Sequence, residues 1–211
     1  MRNRTENQID LALIRHGMTA SNSEKRYLGR TNEPLSEEGR RLLLLRKEQG
    51  CYPAASFLFS GPMTRCLQTG RLLYPEKTPL LIPEWTEMDF GEFEGKNYRE
   101  LSGDARYQAW IDSGGLLPFP GGESREAFLL RCRKGLERLL RMLEKKGPGE
   151  MAGNMAAAIV HGGTIMALLS GLCGGDYFDY QAANGHGYIC RLSVEPEGGG
   201  TVKAAEIRGR I

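Results

Sequence analysis

The sequence has no run near the roughly 18 consecutive apolar residues that a membrane-spanning helix needs, so no membrane partner is expected. Its start, Met1 to Gln8, is polar, and the apolar stretch that follows is broken by Arg15, which predicts no secretory signal. Cysteine is sparse and unpatterned: Cys51, Cys66, Cys132, Cys173 and Cys190 are an odd number with no C-x-x-C pair. That argues against a disulfide scaffold or a zinc site and predicts reduced thiols in a cytoplasmic protein. Net charge is almost absent, 28 Lys+Arg against 26 Asp+Glu giving +2. With no basic stripe interleaved with aromatics, nucleic acid is not an expected partner. Long repeats and low-complexity tracts are missing as well. Histidine is scarce: only His16, His161 and His186 are available for imidazole chemistry.

What is present fits one globular domain over 1–211, with 40% hydrophobic and 26% charged residues, long enough to bury a sizeable core. Short apolar runs rich in β-formers predict strands at Ile9–Ile14, Ala55–Phe59, Pro79–Ile82, Met155–Val160, Tyr188–Val194 and Thr201–Ile207. The last two would flank a turn at Glu197–Gly200. Ser36 caps a helix that Glu37 and Glu38 open and Gly50 closes. Further helices are predicted over Met63–Leu73, Ala105–Ser113, Ser124–Lys146 and from His161–Gly163 to Leu172. In the longest, Leu129, Cys132, Leu136, Leu139, Leu140 and Leu143 share one face; Arg131, Arg133, Lys134, Arg138, Arg141, Lys145 and Lys146 read as its solvated side, and Gly147–Gly149 as its end. A polar loop is expected from Gly17 to Leu35, and a lid or insert over 84–122. Strand–helix alternation predicts an α/β three-layer sandwich: a mostly parallel central sheet flanked by helices and closed by a hairpin.

Three predicted strands end in reactive clusters: Arg15-His16-Gly17, Ser60-Gly61-Pro62 with Arg65 one turn on, and His161-Gly162-Gly163-Thr164. Carboxyl ends of parallel strands, with the helix N-termini that follow, are where ligands bind, and those N-termini suit phosphate. Each residue alone has a structural explanation; their recurrence at equivalent strand ends is what points to a site. Two fixed cations beside the histidines would repel a dication by about 4 kcal/mol per charge pair at 4 Å and an effective dielectric of 20, so the cluster favours an anion over a metal. No cofactor is expected.

These blocks carry a resemblance. Leu13-Ile-Arg15-His16-Gly17-Met-Thr19-Ala-Ser-Asn22, Ser60-Gly-Pro62-Met-Thr-Arg65, Glu87-Met-Asp-Phe90-Gly91, Pro120-Gly-Gly122-Glu123-Ser124 and Val160-His161-Gly162-Gly163 resemble, in order, the motifs of the histidine phosphatase superfamily, with its phosphoglycerate-mutase-like fold. The resemblance implies His16 as a nucleophile that becomes phosphohistidine. It implies Arg15, Arg65, His161, Asn22 and the backbone N–H near Gly162 as phosphoryl binders, and Glu87 as proton donor to the leaving oxygen. Physics agrees with these roles. A histidine attacks phosphorus only through an unprotonated ring nitrogen, and planar Arg suits the equatorial oxygens of phosphoryl transfer.

The implied activity is hydrolysis of a small phosphate monoester, such as α-ribazole phosphate or a sugar phosphate. The stretch from Asn97 to Gly122 is aromatic and holds only Arg99 and Arg106 as cations, which fits a phosphatase more than a cofactor-dependent mutase. The mutase reading, and a non-catalytic phospho-ligand module, stay open as alternatives. Tyr27, Met88, Phe90, Tyr98, Trp110 and Phe119 are candidates for an apolar substrate wall. Thr19 and Ser60 are candidate donors, Cys66 reads as a small buried helix residue, and His186 as a loop residue before the last hairpin.

Overall fold

The structure, a computed structural model, describes residues 7–146, 155–195 and 201–211. The expected ends of two elements, Gly147–Gly149 and the turn at Glu197–Gly200, lie outside them. Six strands form one sheet: β1 (Asn7–Arg15), β2 (Phe57–Ser60), β3 (Leu80–Leu81), β4 (Met155–Val160), β5 (Gly187–Val194) and β6 (Val202–Arg210). Their order is β3-β2-β4-β1-β5-β6. The first four are mutually parallel, β5 runs antiparallel to β1, and β6 antiparallel to β5. The helices are α1 (Ala20–Ser23), α2 (Glu37–Glu48), α3 (Thr64–Leu73), α4 (Ala105–Asp112), α5 (Arg125–Glu144) and α6 (Gly162–Cys173). This is the expected sandwich, closed by the expected antiparallel hairpin.

The continuous apolar run of β1 reflects cover on both faces. Leu11 and Leu13 point into the core with Phe128, Leu136 and Ile165, while Ala12 and Ile14 point to the opposite core with Leu43, Cys66 and Leu73. Thus α5 and α6 cover one face, α2 and α3 the other. Ser36 caps α2 by accepting from the Gly39 N–H, and Ser124 caps α5 by accepting from Ala127.

Two details of the helical reading are corrected. The buried stripe of α5 starts at Phe128, while Leu129 is only half-buried. Arg131, assigned to the solvated face, is instead largely covered, with 21% of its side chain exposed. It sits three residues past Phe128, at the margin of the buried stripe, and finds a polar pocket there. The loop Gly17–Leu35 also contains α1, a single turn whose Thr19 cap and Asn22 satisfy each other's backbone N–H groups.

Candidate active site

Sheet register builds the site. β1 and β4 are neighbours with Arg15 paired to Val160, so His16 and His161 leave the sheet side by side. The His16 N–H donates to the Val160 carbonyl at 2.9 Å, and the two imidazole rings meet edge to face at 5.1 Å. β2 lies on the far side of β4 and delivers Ser60, with α3 and Arg65 following.

His16 is 2% exposed, and its Nδ1 lies 2.7 Å from the Gly17 carbonyl. A carbonyl only accepts, so Nδ1 carries the proton and Nε2 keeps its lone pair. Burial, then the charges of Arg65 and Arg15, push the His16 pKa well below its ordinary value. The ring therefore stays neutral through the physiological range. His161 is fully buried and depressed likewise, by burial first and then by Arg65. Its Nδ1 accepts from Arg65 Nε at 3.4 Å, and its Nε2 lies 3.6 Å from Cys66 Sγ. Burial pushes the Cys66 thiol up to about 12, so the residue is a packed thiol on α3, as read from the sequence.

The two arginines are held differently. Arg15 donates from Nη1 to the Ala182 carbonyl at 2.7 Å, while its Nε is buried with no hydrogen-bond partner. An unpaired buried donor of this kind costs on the order of 1–3 kcal/mol, and an incoming anion would remove that cost. Arg65 is fully buried, and its Nη atoms donate to the Thr31 and Gly29 carbonyls at 2.8 and 2.9 Å. It thereby ties the loop before α2 to the site.

Glu87 faces this group from a short connection after β3. It is 8% exposed, and burial raises its pKa against the opposing effects of the Met88 amide, Arg65 and Arg15. Its carboxylate accepts from the Met88 N–H at 2.9 Å and from the Gly163 N–H at 3.4 Å. Gly163 leaves the room this requires: a Cβ there would lie 2.5 Å from Glu87 Oε1 and 3.1 Å from the buried Phe128 ring. Gly163→Ala should therefore displace the carboxylate and lower kcat by about 10²-fold, the usual cost of an ångström of misplacement. Alanine is the better helix former, so the melting temperature should not fall in step; steady-state kinetics beside thermal melting would check this.

Gly162 and Gly163 begin α6, whose N-terminus no side chain caps. Its free N–H groups and dipole face the same space as Arg15, within contact distance of Gly162. Asn22 is drawn in from α1: its Oδ1 accepts from Asn184 Nδ2 at 3.0 Å, and the same amide donates to the His16 carbonyl at 3.1 Å. Thr19 is spent on capping α1, and Ser60 donates to the Gly61 carbonyl at 2.8 Å. Their hydroxyls therefore serve the fold. His186 lies in the turn before β5, its Nδ1 3.1 Å from the Ile211 carbonyl. Among the described residues, no cluster of three or more His, Cys, Asp or Glu side chains could hold a metal ion.

Beside Glu87 opens a cavity of about 500 Å3, lined by Arg15, Gly162 and Gly163 at one part and by Tyr27, Phe90, Trp110 and Phe119 at another. Tyr98 is not among its walls: it is 48% exposed and stacks on Arg99. Sequence reading missed five contributors, Asn184 among them. Arg125, Tyr177 and Phe178 line the cavity. Arg131 binds the Glu84 and Thr86 carbonyls at 2.7 and 2.8 Å and pairs with Glu123 at 2.7 Å, so it fixes the connection that carries Glu87. Helical spacing from Phe128 was the available signal for Arg131. No local signal marks Asn184 or the Tyr177–Phe178 pair.

Fold and site together define an α/β protein with two histidines and two arginines gathered at one rim of its sheet, and comparison with known proteins gives its family. The profile described as "Histidine phosphatase superfamily (branch 1)" matches residues 11–206, and the chain belongs to that superfamily. A 2,3-bisphosphoglycerate-dependent phosphoglycerate mutase 2 of Gloeobacter violaceus is 32% identical over 168 residues, covering 75% of this chain and 73% of the relative. An adenosylcobalamin/alpha-ribazole phosphatase of Escherichia coli K12 is 30% identical over 138 residues, covering 61% of this chain and 66% of the relative. The crystal structure of a putative alpha-ribazole-5'-P phosphatase from Escherichia coli shares the fold, with a TM-score of 0.73 at 22% identity over 95% of this chain and 94% of that one. One of these relatives is thus named a mutase and another a phosphatase. No described helix is long and apolar enough to cross a membrane.

Proposed function

We propose that the protein is a phosphomonoester hydrolase working through a phosphohistidine on His16. The observation that carries this is the tautomer: with Nδ1 committed to the Gly17 carbonyl at 2.7 Å, a neutral buried ring offers Nε2 to phosphorus. Nε2 attacks, the P–O bond to the alcohol breaks, and protonated Glu87 gives its proton to the departing oxygen. Water then attacks phosphorus, the P–N bond breaks with its electron pair returning to Nε2, Glu87 takes the water's proton, and neutral His16 is restored as phosphate leaves. Arg15, Arg65, Asn22 and the Gly162 N–H are assigned to the phosphoryl oxygens, where fixed donors matter most as charge spreads in the transition state, and His161 joins them by turning its Nε2–H from Cys66 Sγ to the incoming group. No metal or organic cofactor enters these steps. The segment 84–122 supplies the cover over the leaving alcohol.

A mutase must return the phosphoryl group to a second hydroxyl before water arrives. The aromatic cavity favours release to water from a bulkier alcohol, of which α-ribazole phosphate is one example and a sugar phosphate another. The direct test is rapid quench during turnover of radiolabelled substrate. Acid-labile label should appear on His16 and decay at the rate of phosphate release; label elsewhere, or none, rejects the assignment. Phosphoglycerate interconversion outrunning hydrolysis would favour the mutase.

A further inference from the structure

Two cations line the cavity, Arg15 and Arg125, and of these the phosphoryl chemistry uses Arg15. Arg125, the first residue of α5, stands apart from it. Its guanidinium lies 4.8 Å from the Tyr177 ring centroid and 5.0 Å from that of Phe178, and its Nη2 donates to the Gly114 carbonyl at 2.6 Å. That partner is neutral, and Glu123, two residues away, is taken by Arg131. Arg125 is thus a charge held in place by rings and one backbone oxygen, without a carboxylate partner among the described residues.

Trp110 shares this corner. A Cβ at Gly115 would lie 2.7 Å from Arg125 Nη2 and 3.5 Å from Trp110 Cε2, the carbon bonded to the indole nitrogen. That nitrogen, Nε1, is buried and has no hydrogen-bond partner. The Arg125 charge therefore has one neutral acceptor and no counter-ion, and the indole N–H of the same corner has no acceptor at all, a setting complementary to an anion. The surfaces leading to it are aromatic: Phe119 packs on Phe90 and Trp110 at 5.0 Å each, and Tyr27 touches all three. A volume of about 500 Å3 lies within the range of pockets for drug-sized molecules and exceeds the needs of a three-carbon alcohol.

We infer that the cavity selects phosphate monoesters of a planar aromatic alcohol that carries a second anionic group, with the ring between the aromatic walls and the anion on Arg125 and Trp110. This rests on the phosphatase reading above and adds the class of alcohol it acts on.

The test compares kcat/KM for 4-carboxyphenyl phosphate, phenyl phosphate and 3-phosphoglycerate in the wild type, Arg125→Met and Arg125→Lys. The wild type should prefer the carboxylated aryl ester over phenyl phosphate by about tenfold, the scale of one charge-assisted hydrogen bond. Arg125→Met should bring that ratio to about one, Arg125→Lys should keep part of it, and added salt should compress it in the wild type. A wild-type ratio of one or less, a ratio untouched by Arg125→Met, or faster turnover of 3-phosphoglycerate overturns the inference. Calorimetry with 4-carboxybenzylphosphonate and benzylphosphonate reads the same corner without chemistry. If no ester is hydrolysed but the carboxylated phosphonate still binds more tightly through Arg125, the catalytic reading falls and the subsite stands. If hydrolysis depends on His16 but neither ratio moves, the reverse holds.

Discussion

His16→Ala should lower kcat on p-nitrophenyl phosphate by on the order of 10⁴-fold or more, the scale seen when a covalent nucleophile is removed and the rest of a site remains. The size follows from the division of labour. Arg15, Arg65 and the α6 N-terminus would still bind a phosphate dianion, so substrate affinity should survive in part. What is lost is the one atom that can accept phosphorus. An activated phenolate leaving group makes the measurement stringent, because such an ester needs no proton donor and reports the attack alone. Alanine also vacates a buried space between Gly17 and His161, so circular dichroism and a phosphate-binding titration should accompany the kinetics. A folded, phosphate-binding, inactive variant is the expected result; a folded variant with near-normal turnover would remove His16 from the chemistry.

Glu87→Gln should give the second largest effect, about 10²–10⁴-fold in kcat/KM on an alkyl phosphate and far less in kcat/KM on p-nitrophenyl phosphate, because that ratio stops at the departure of the alcohol and excludes the later attack of water. Burial raises the Glu87 pKa, so the carboxyl holds its proton above the ordinary carboxylate range. Activity that needs this proton is present below the raised pKa and falls as pH rises through it. In kcat/KM for the alkyl ester, the limb on the alkaline side should therefore carry the Glu87 ionisation in the free enzyme and vanish in Glu87→Gln. His16 works in the other direction: its depressed pKa keeps the ring neutral as pH falls, so the acid limb should lie well below the ordinary histidine value. A pH series on both esters, in both proteins, separates these effects. Retention of the alkaline limb in Glu87→Gln would place the ionisation on another group.

Much of this was legible before any coordinates. The four parallel strands carry uninterrupted apolar runs because both faces are covered, and such runs stand out in a sequence. Arg15, His16, Arg65 and His161 stand immediately beyond strand ends or one turn into the helix that follows, so local pattern fixes their place on one rim. Tertiary partners were harder to see. Arg131 looked like one of seven cations on a wet helix face, and only the fold shows that three carbonyls of the Glu87 connection and the Glu123 carboxylate surround it. Tyr98 looked like a wall because it lies among aromatics, yet it faces solvent while Tyr177 and Phe178 arrive from about 80 residues further on. Those contacts depend on where α6 ends relative to α5, which no local pattern encodes.

The chain's order of emergence has a consequence for the nucleophile. The strand end that bears residue 16 is gripped by a segment made long after it. The His186 carbonyl accepts from the Arg15 N–H at 2.8 Å, the Gly185 N–H donates to the Arg15 carbonyl at 3.1 Å, and Ala182 and Asn184 hold the Arg15 and Asn22 side chains. The imidazole therefore acquires its setting only once a segment 167 residues beyond Arg15 has been made. Chains that stop before that segment, whatever secondary structure they gain, would remain without reactive capability.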